Sequence, residues 1–263
     1  MTNWMTWCVV ISGFAGAGGE EAKRPPKEIA VELGGGVKME FVLIPAGSFN
    51  MGEEMGFPYE KPVHKVTISR PFYLGKYEVT QEDWETVMGD NPSYFKGKRK
   101  PVEQVSWEDC QVFLKTLNAK VSVPTYNFAL PTEAQWEYAC RAGTRTWFCF
   151  GSNYNQLREY AWYDDRMLGG TRPVGQKKPN NWGLYDMHGN VFEWCQDRYA
   201  SDFYVNSPAD DPSGPEAGAT RVRRGGAWDR DAMDCRSSYR GVNSADHRDF
   251  FLGFRVAQVL TDK

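Results

Sequence analysis

The feature that most restricts this chain is where its regular signals stop. Up to Gly143 the sequence carries helix starts and alternating apolar runs, whereas beyond it Gly, Pro, Asn and aromatic residues dominate. Loops of that extent stay together in a compact domain only when aromatic packing, metals or disulfides pin them. Aromatic residues make up 14% of the chain, with 10 Trp among them, set against 26 Gly and 15 Pro. Large rings buried under irregular backbone are therefore the expected source of order.

Ahead of Gly143 the pattern is readable. Residues 39–44 and 47–51 predict short strands around Pro45, 63–69 alternates as another, and 72–77 continues the β pattern. Thr80 stands before Trp84, Val87 and Met88 at helical spacing. Ser106 with Asp109 opens a second helix carrying Val112, Phe113 and Leu117, and Thr132 with Gln135 forms a capping box for a third through Trp136, Tyr138 and Ala139. Further short strands are expected at 192–194, 222–228 and 253–259. No repeat or linker divides residues 39–260, which predicts one α+β domain.

Charge and hydropathy exclude two broad classes of partner. Lys plus Arg number 31 against 34 Asp plus Glu, a net charge of -3, so no basic excess attracts nucleic acid or anionic lipid. A mean hydropathy of -0.58 and the lack of an apolar run of spanning length argue against an integral membrane segment. Residues 1–17 end in Ala15-Gly16-Ala17 after an apolar stretch, the form of a secretory signal without its usual basic start, and 18–38 reads as a polar linker. A periplasmic or secreted protein is the expectation. Cleavage would remove Cys8 and leave Cys110, Cys140, Cys149, Cys195 and Cys235, an odd set in which one thiol is free or paired between chains. Neither a Cys-x-x-Cys pair nor zinc-finger histidine spacing is present.

Several segments together resemble the formylglycine-generating enzyme, or sulfatase-modifying-factor, family. They begin with Ile44-Pro45-Ala46-Gly47-Ser48-Phe49, Tyr77-Glu78-Val79-Thr80 and Val105-Ser106-Trp107. Leu130-Pro131-Thr132-Glu133-Ala134-Gln135-Trp136-Glu137-Tyr138-Ala139 and Gly183-Leu184-Tyr185-Asp186-Met187-His188-Gly189-Asn190-Val191 follow. Glu193-Trp194, Arg224-Gly225-Gly226-Ala227-Trp228 and Leu252-Gly253-Phe254-Arg255 complete the series. The resemblance implies a loop-rich α+β domain distantly related to C-type lectins and often stabilised by calcium. It also implies a choice of functions, since the family holds oxidases that convert a sulfatase cysteine to formylglycine, a domain of sulfoxide synthases, proteins of pyoverdine maturation, and members without known activity.

In the aldehyde-forming members, two cysteines after the Arg-Gly-Gly strand bind copper, because paired thiolates are soft ligands that suit Cu(I). Here the register places Arg230 at the first of those positions and Cys235 at the second. One thiolate and a repelling guanidinium do not make that site, so copper-dependent aldehyde formation is not expected. Cys235 is then either a low-pKa nucleophile beside Arg230 and Arg236, or a buried thiol or disulfide partner. By position, the resemblance makes the Asp186 and Glu193 carboxylates and the Gly189 and Val191 carbonyls calcium ligands, hard donors appropriate to Ca²⁺.

Three scattered histidines, His64, His188 and His247, do not form the two-His-one-carboxylate set of an iron enzyme, and structural roles are expected for His64, within a strand, and His188, beside the Gly189-Asn190 turn. Arg221, Arg223, Arg224 and Arg230 either bind an anionic ligand or brace loops through carboxylates and ring faces. The function expected on these grounds is an exported recognition domain, binding a peptide, protein or small ligand in a groove of Phe192, Trp228, Arg230 and Phe251. The alternative is an oxidative protein- or metabolite-modifying enzyme using Cys235 or a metal such as iron.

Overall fold

Strand β1 (Glu28–Gly34) lies in the segment expected to be a polar linker. Ile29, Val31 and Leu33 alternate with Glu28, Ala30 and Glu32, and Val31 and Leu33 are buried, so one face reaches the core. Gly34, Gly35 and Gly36 all take positive φ and turn the chain into β2 (Val37–Ile44), which pairs Ile29 with Phe41 and Val31 with Met39. The computed structural model describes residues 25–121, 125–165 and 169–260. The apolar start read as a secretory signal, with Cys8, lies outside the described residues.

Strands β3 (Gly47–Met51) and β4 (His64–Ile68) form a two-stranded sheet, and β5 (Phe72–Gly75) joins β2. The three expected helices follow the cap chemistry of their sequences. In α1 (Gln81–Met88) the Thr80 hydroxyl accepts from the Asp83 amide at 3.2 Å while Asp83 accepts from the Thr80 amide at 2.9 Å. Ser106 and Asp109 repeat the exchange at 3.0 and 2.8 Å for α2 (Trp107–Lys120). After β6 (Tyr126–Ala129), Thr132 and Gln135 do so at 3.1 and 3.0 Å for α3 (Glu133–Arg141). Each box satisfies two backbone donors that a helix start leaves open.

Beyond α3 come β7 (Phe192–Arg198), β8 (Thr220–Arg224), β9 (Gly241–Ser244), β10 (Leu252–Phe254) and β11 (Ala257–Leu260). The strand order β1-β2-β5-β11-β6 makes an antiparallel five-stranded sheet, and β10-β7-β8-β9 makes a second sheet in which β10 runs parallel to β7. Helices α1 and α2 pack rings against the end of β10: Trp84 stacks on Phe113 at 5.3 Å and Phe113 meets Phe254 edge-on at 5.3 Å. Helix α3 places Trp136 in a separate core with Ile44, Val66, Phe72 and Val222.

Two kinds of contact hold the long loops. Rings supply one, as expected. The other is a set of buried Arg–Glu pairs: Arg141 and Arg224 share Glu137, Arg240 takes Glu133, Arg236 takes Glu60, and Arg255 takes Glu193. Disulfides contribute nothing among the described residues, since Cys110, Cys140, Cys149, Cys195 and Cys235 are all free and buried. Buried Arg–carboxylate pairs cross-link distant segments through several directed hydrogen bonds each, which suits irregular backbone.

Candidate functional site

The β7–β8 pairing sorts the arginines. Glu193 lies opposite Arg224, and Trp194 opposite Arg223, so strand alternation sends Arg224 to one face and Arg223 to the other. On the inner face Arg224 meets Glu137 and the Tyr239 carbonyl. Burial would push Glu137 up, but Arg141 and Arg224 hold its carboxyl below the usual range. On the outer face the Arg223 guanidinium lies 3.7 Å from the centre of the Phe192 ring and 5.6 Å from that of Phe251. Arg221, on the same strand, stacks on Trp107 at 3.6 Å and donates to the Gln196 carbonyl at 2.9 Å. The cluster read from sequence thus divides, with Arg221 and Arg224 bracing the fold and Arg223 left on the outer face.

That outer face brings together all four residues expected to line a groove. Phe192, Trp228 and Phe251 are buried in one hydrophobic cluster, while Arg230 lies over Phe251 at 4.3 Å with its side chain about one-third exposed. Phe250 and Phe251 meet edge-on at 5.5 Å, and Phe95 meets Trp228 edge-on at 5.4 Å, closing the ring cluster. The loop carrying Trp228 and Arg230 is fastened by backbone: the Asp164 amide donates to the Arg230 carbonyl and the Asp165 amide to the Trp228 carbonyl, each at 2.8 Å. Tyr239 donates to Asp234 at the rim, and the Arg230 Nε stands 3.4 Å from Asp229. Sequence reasoning included Arg223 only as one of a cluster and missed Tyr239 and Asp234; strand parity from Glu193 and Arg224 was the signal for Arg223.

Cys235 does not have the surroundings of a reactive thiolate. It is fully buried, and burial, with Asp234, Asp231 and Asp229 nearby, pushes its thiol well up. The two arginines expected to lower it point elsewhere, Arg236 to Glu60 and Arg230 to the Phe251 face. The low-pKa reading is therefore corrected by desolvation, which opposes a charged thiolate more strongly than sequence neighbours favour it. Gly226 adjoins the sulfur: its φ is +78°, and a Cβ there would fall 2.5 Å from Cys235 Sγ. His188 is likewise committed, its Nδ1 donating to the Cys235 carbonyl at 2.9 Å and its Nε2 accepting from the Cys149 amide at 3.1 Å.

The turn expected to bind calcium is held by other means. Glu193 accepts from Arg255 Nη2 at 2.7 Å and Nε at 3.0 Å, and from Trp136 Nε1 at 2.7 Å, which engages both of its oxygens. Glu78, buried on the Tyr-Glu-Val-Thr segment, accepts from the Asn190 side-chain amide at 2.6 Å and the Val191 amide at 3.1 Å. Asp186 accepts from the Gly175 amide at 2.7 Å through Oδ2, and its Oδ1 is buried without a partner. Burial raises Asp186 to about 6 and, with Asp186 and Glu193 beside it, lifts Glu78 well above the usual carboxylate range. Ca²⁺ takes 6–8 oxygens, roughly, whereas one carboxylate oxygen here is open. Among the described residues no group of three His, Cys, Asp or Glu side chains is arranged to hold a metal ion. The Asp186, Gly189, Val191 and Glu193 set therefore does not fit calcium as arranged, because the Arg255 cation occupies Glu193.

Comparison with known proteins agrees with this architecture. The sulfatase-modifying factor enzyme 1-like domain matches residues 36–260. The chain is 32% identical to the chaperone protein LppX of Paenibacillus barcinonensis, over 84% of this chain and 90% of that one. It is 29% identical to the formylglycine-generating enzyme of Streptomyces coelicolor, over 82% and 88% of the two chains. Among solved structures, Treponema denticola variable protein 1 superimposes with a TM-score of 0.82 at 32% identity, covering 89% of this chain and 99% of its own.

Proposed function

This chain belongs to the sulfatase-modifying factor enzyme 1-like family, and from that premise we propose that it is a recognition domain acting outside the cytoplasm. It binds a peptide, protein or small ligand in the groove of Phe192, Trp228, Arg230 and Phe251, and it does not carry out copper-dependent aldehyde formation. The observation that carries the reading is the contrast within one loop. Arg230 stands part-exposed over an aromatic wall, while Cys235, five positions on, is sealed from solvent. Aromatic walls with polar groups at the rim are the usual make-up of a binding cleft, and a buried thiol without a base is a poor nucleophile or soft-metal ligand. A relative named as a chaperone protein adds support for a protein or peptide as the occupant.

An immobilised peptide array screened for saturable binding tests the reading. Binding of the selected peptides is expected to survive Cys235→Ser and to weaken about tenfold or more in Arg230→Glu, where a charge at the rim is reversed. Oxygen uptake with turnover of a Cys-x-Pro-x-Arg sulfatase peptide, abolished by Cys235→Ser, would instead make the protein an oxidase.

A further inference from the structure

Among the described residues six arginines are largely buried, and five of them have carboxylate partners. Arg141, Arg224, Arg236, Arg240 and Arg255 each reach a glutamate. Arg223 is the exception: its Nε and Nη1 are enclosed by protein with no acceptor, and its contacts among the described residues are with rings. The carboxylates nearest to it are otherwise engaged, Asp234 with Tyr239 and Asp229 with Arg230. Burial draws Arg223 down to about 10, which still leaves it a cation at neutral pH. A desolvated guanidinium whose donors find no acceptor is a cost that the rest of this fold avoids.

The guanidinium is also held in place. Its flat face lies on Phe192, and Gly241 of β9 packs against it so closely that a Cβ would come 2.8 Å from Arg223 Cγ and 3.1 Å from Cζ. A fixed, water-poor cation whose donors lack acceptors is ready for an anion, with little ordering left to do. Asp229 lies beside Arg230, Asp234 and Asp229 act on Arg223 without accepting from its Nε or Nη1, and the surrounding wall is aromatic. That combination fits a singly charged planar group attached to an apolar body.

We infer that the groove selects ligands bearing a carboxylate, which Arg223 receives beneath the rim formed by Arg230, Asp234, Tyr239 and Phe250. The inference rests on the groove reading above and adds the charge and shape of the group recognised. Entry displaces side chains of that rim, which are part-exposed, and leaves the paired strands β7 and β8 in place.

The test uses the full chain with sodium phenylacetate, its uncharged amide phenylacetamide, and inorganic phosphate, followed by calorimetry and by the ¹⁵Nε–¹H resonance of Arg223. Saturable phenylacetate binding is expected to move that resonance, with phenylacetamide at least about tenfold weaker. Arg223→Met, which keeps a long stem on Phe192, is expected to remove the preference for the carboxylate while melting no lower than the parent. Equal affinity for acid and amide overturns the inference and leaves the groove reading standing. Phosphate binding that phenylacetate does not displace also overturns it, in favour of a different anion. Silence from all three probes overturns it too, and the groove reading is then decided by the peptide array. A clear fall in melting temperature for Arg223→Met shows a bracing role and sinks the proposal.

Discussion

The two faces of the β7–β8 pair use the same residue type under opposite conditions. Inward, Arg224, with Arg240 and Arg255 nearby, spends its donors on Glu137, Glu133 and Glu193, and charge is matched within the fold. Outward, Arg223 and Arg230 lie on the faces of Phe192 and Phe251, with donors still open. A guanidinium with its donors filled fixes a loop, whereas one with open donors can still take an acceptor. On the reading proposed above, the difference separates bracing from recognition within two adjacent strands.

The largest expected effect tests the inner face. Arg255→Met leaves Glu193 buried beside Trp136 without its cation, and urea unfolding should register a loss of about 3–5 kcal/mol. A loss under about 1 kcal/mol would mean that the inner pairs do not hold the loops.

A pH series comes next. Burial, with Glu133 beside it, raises Asp197 to about 8, so the folded protein keeps a proton there that the unfolded chain releases near roughly 4. The folded state therefore binds more protons across that window. The stability this group contributes is complete at the acid end and is lost as pH rises through 8, with a slope of up to about 1.4 kcal/mol per pH unit. Asp197→Asn keeps an acceptor for the Glu133 amide, which now donates to Asp197 Oδ2 at 2.8 Å, and should flatten the slope. An unchanged slope in this variant removes Asp197 as its source.

The outer face should answer much more weakly in stability. Arg230→Gln is expected to stay within about 0.5 kcal/mol of the parent by the same urea assay, since a part-exposed Arg on a ring contributes little to folding. A loss comparable to that of Arg255→Met would erase the distinction between the faces. Smallest of all, chelator treatment should leave the melting temperature unchanged. A calcium-dependent rise would show that the cation displaces Arg255 from Glu193 and draws in Asp186 Oδ1.

Much of the scaffold was legible. Thr80, Ser106 and Thr132 each announce a helix because the bond that caps it spans three residues and requires nothing distant. The residues expected to line a groove, Phe192, Trp228, Arg230 and Phe251, lie within one cluster of rings and guanidinium. Strand β1 was missed although Ile29, Val31 and Leu33 alternate, because the charged residues between them made the segment look like a tether. The surroundings of Glu193 were not legible for a different reason: its partner Arg255 lies 62 residues away, and the loop itself carries no trace of that pairing.

The sequence alone determined what is local here: the three helix starts, the single α+β domain and the aromatic content that loops require. Tertiary structure decided the rest. Sequence neighbours Arg223 and Arg224 have one chemistry but two environments, and only the register of β8 on β7 assigns one to glutamates and the other to the Phe192 and Phe251 rings. Burial, likewise, turned Cys235 from a candidate nucleophile into a packed thiol. Hydrogen bonds three residues apart form from local sequence, whereas desolvation and counter-charge exist only once distant segments have met.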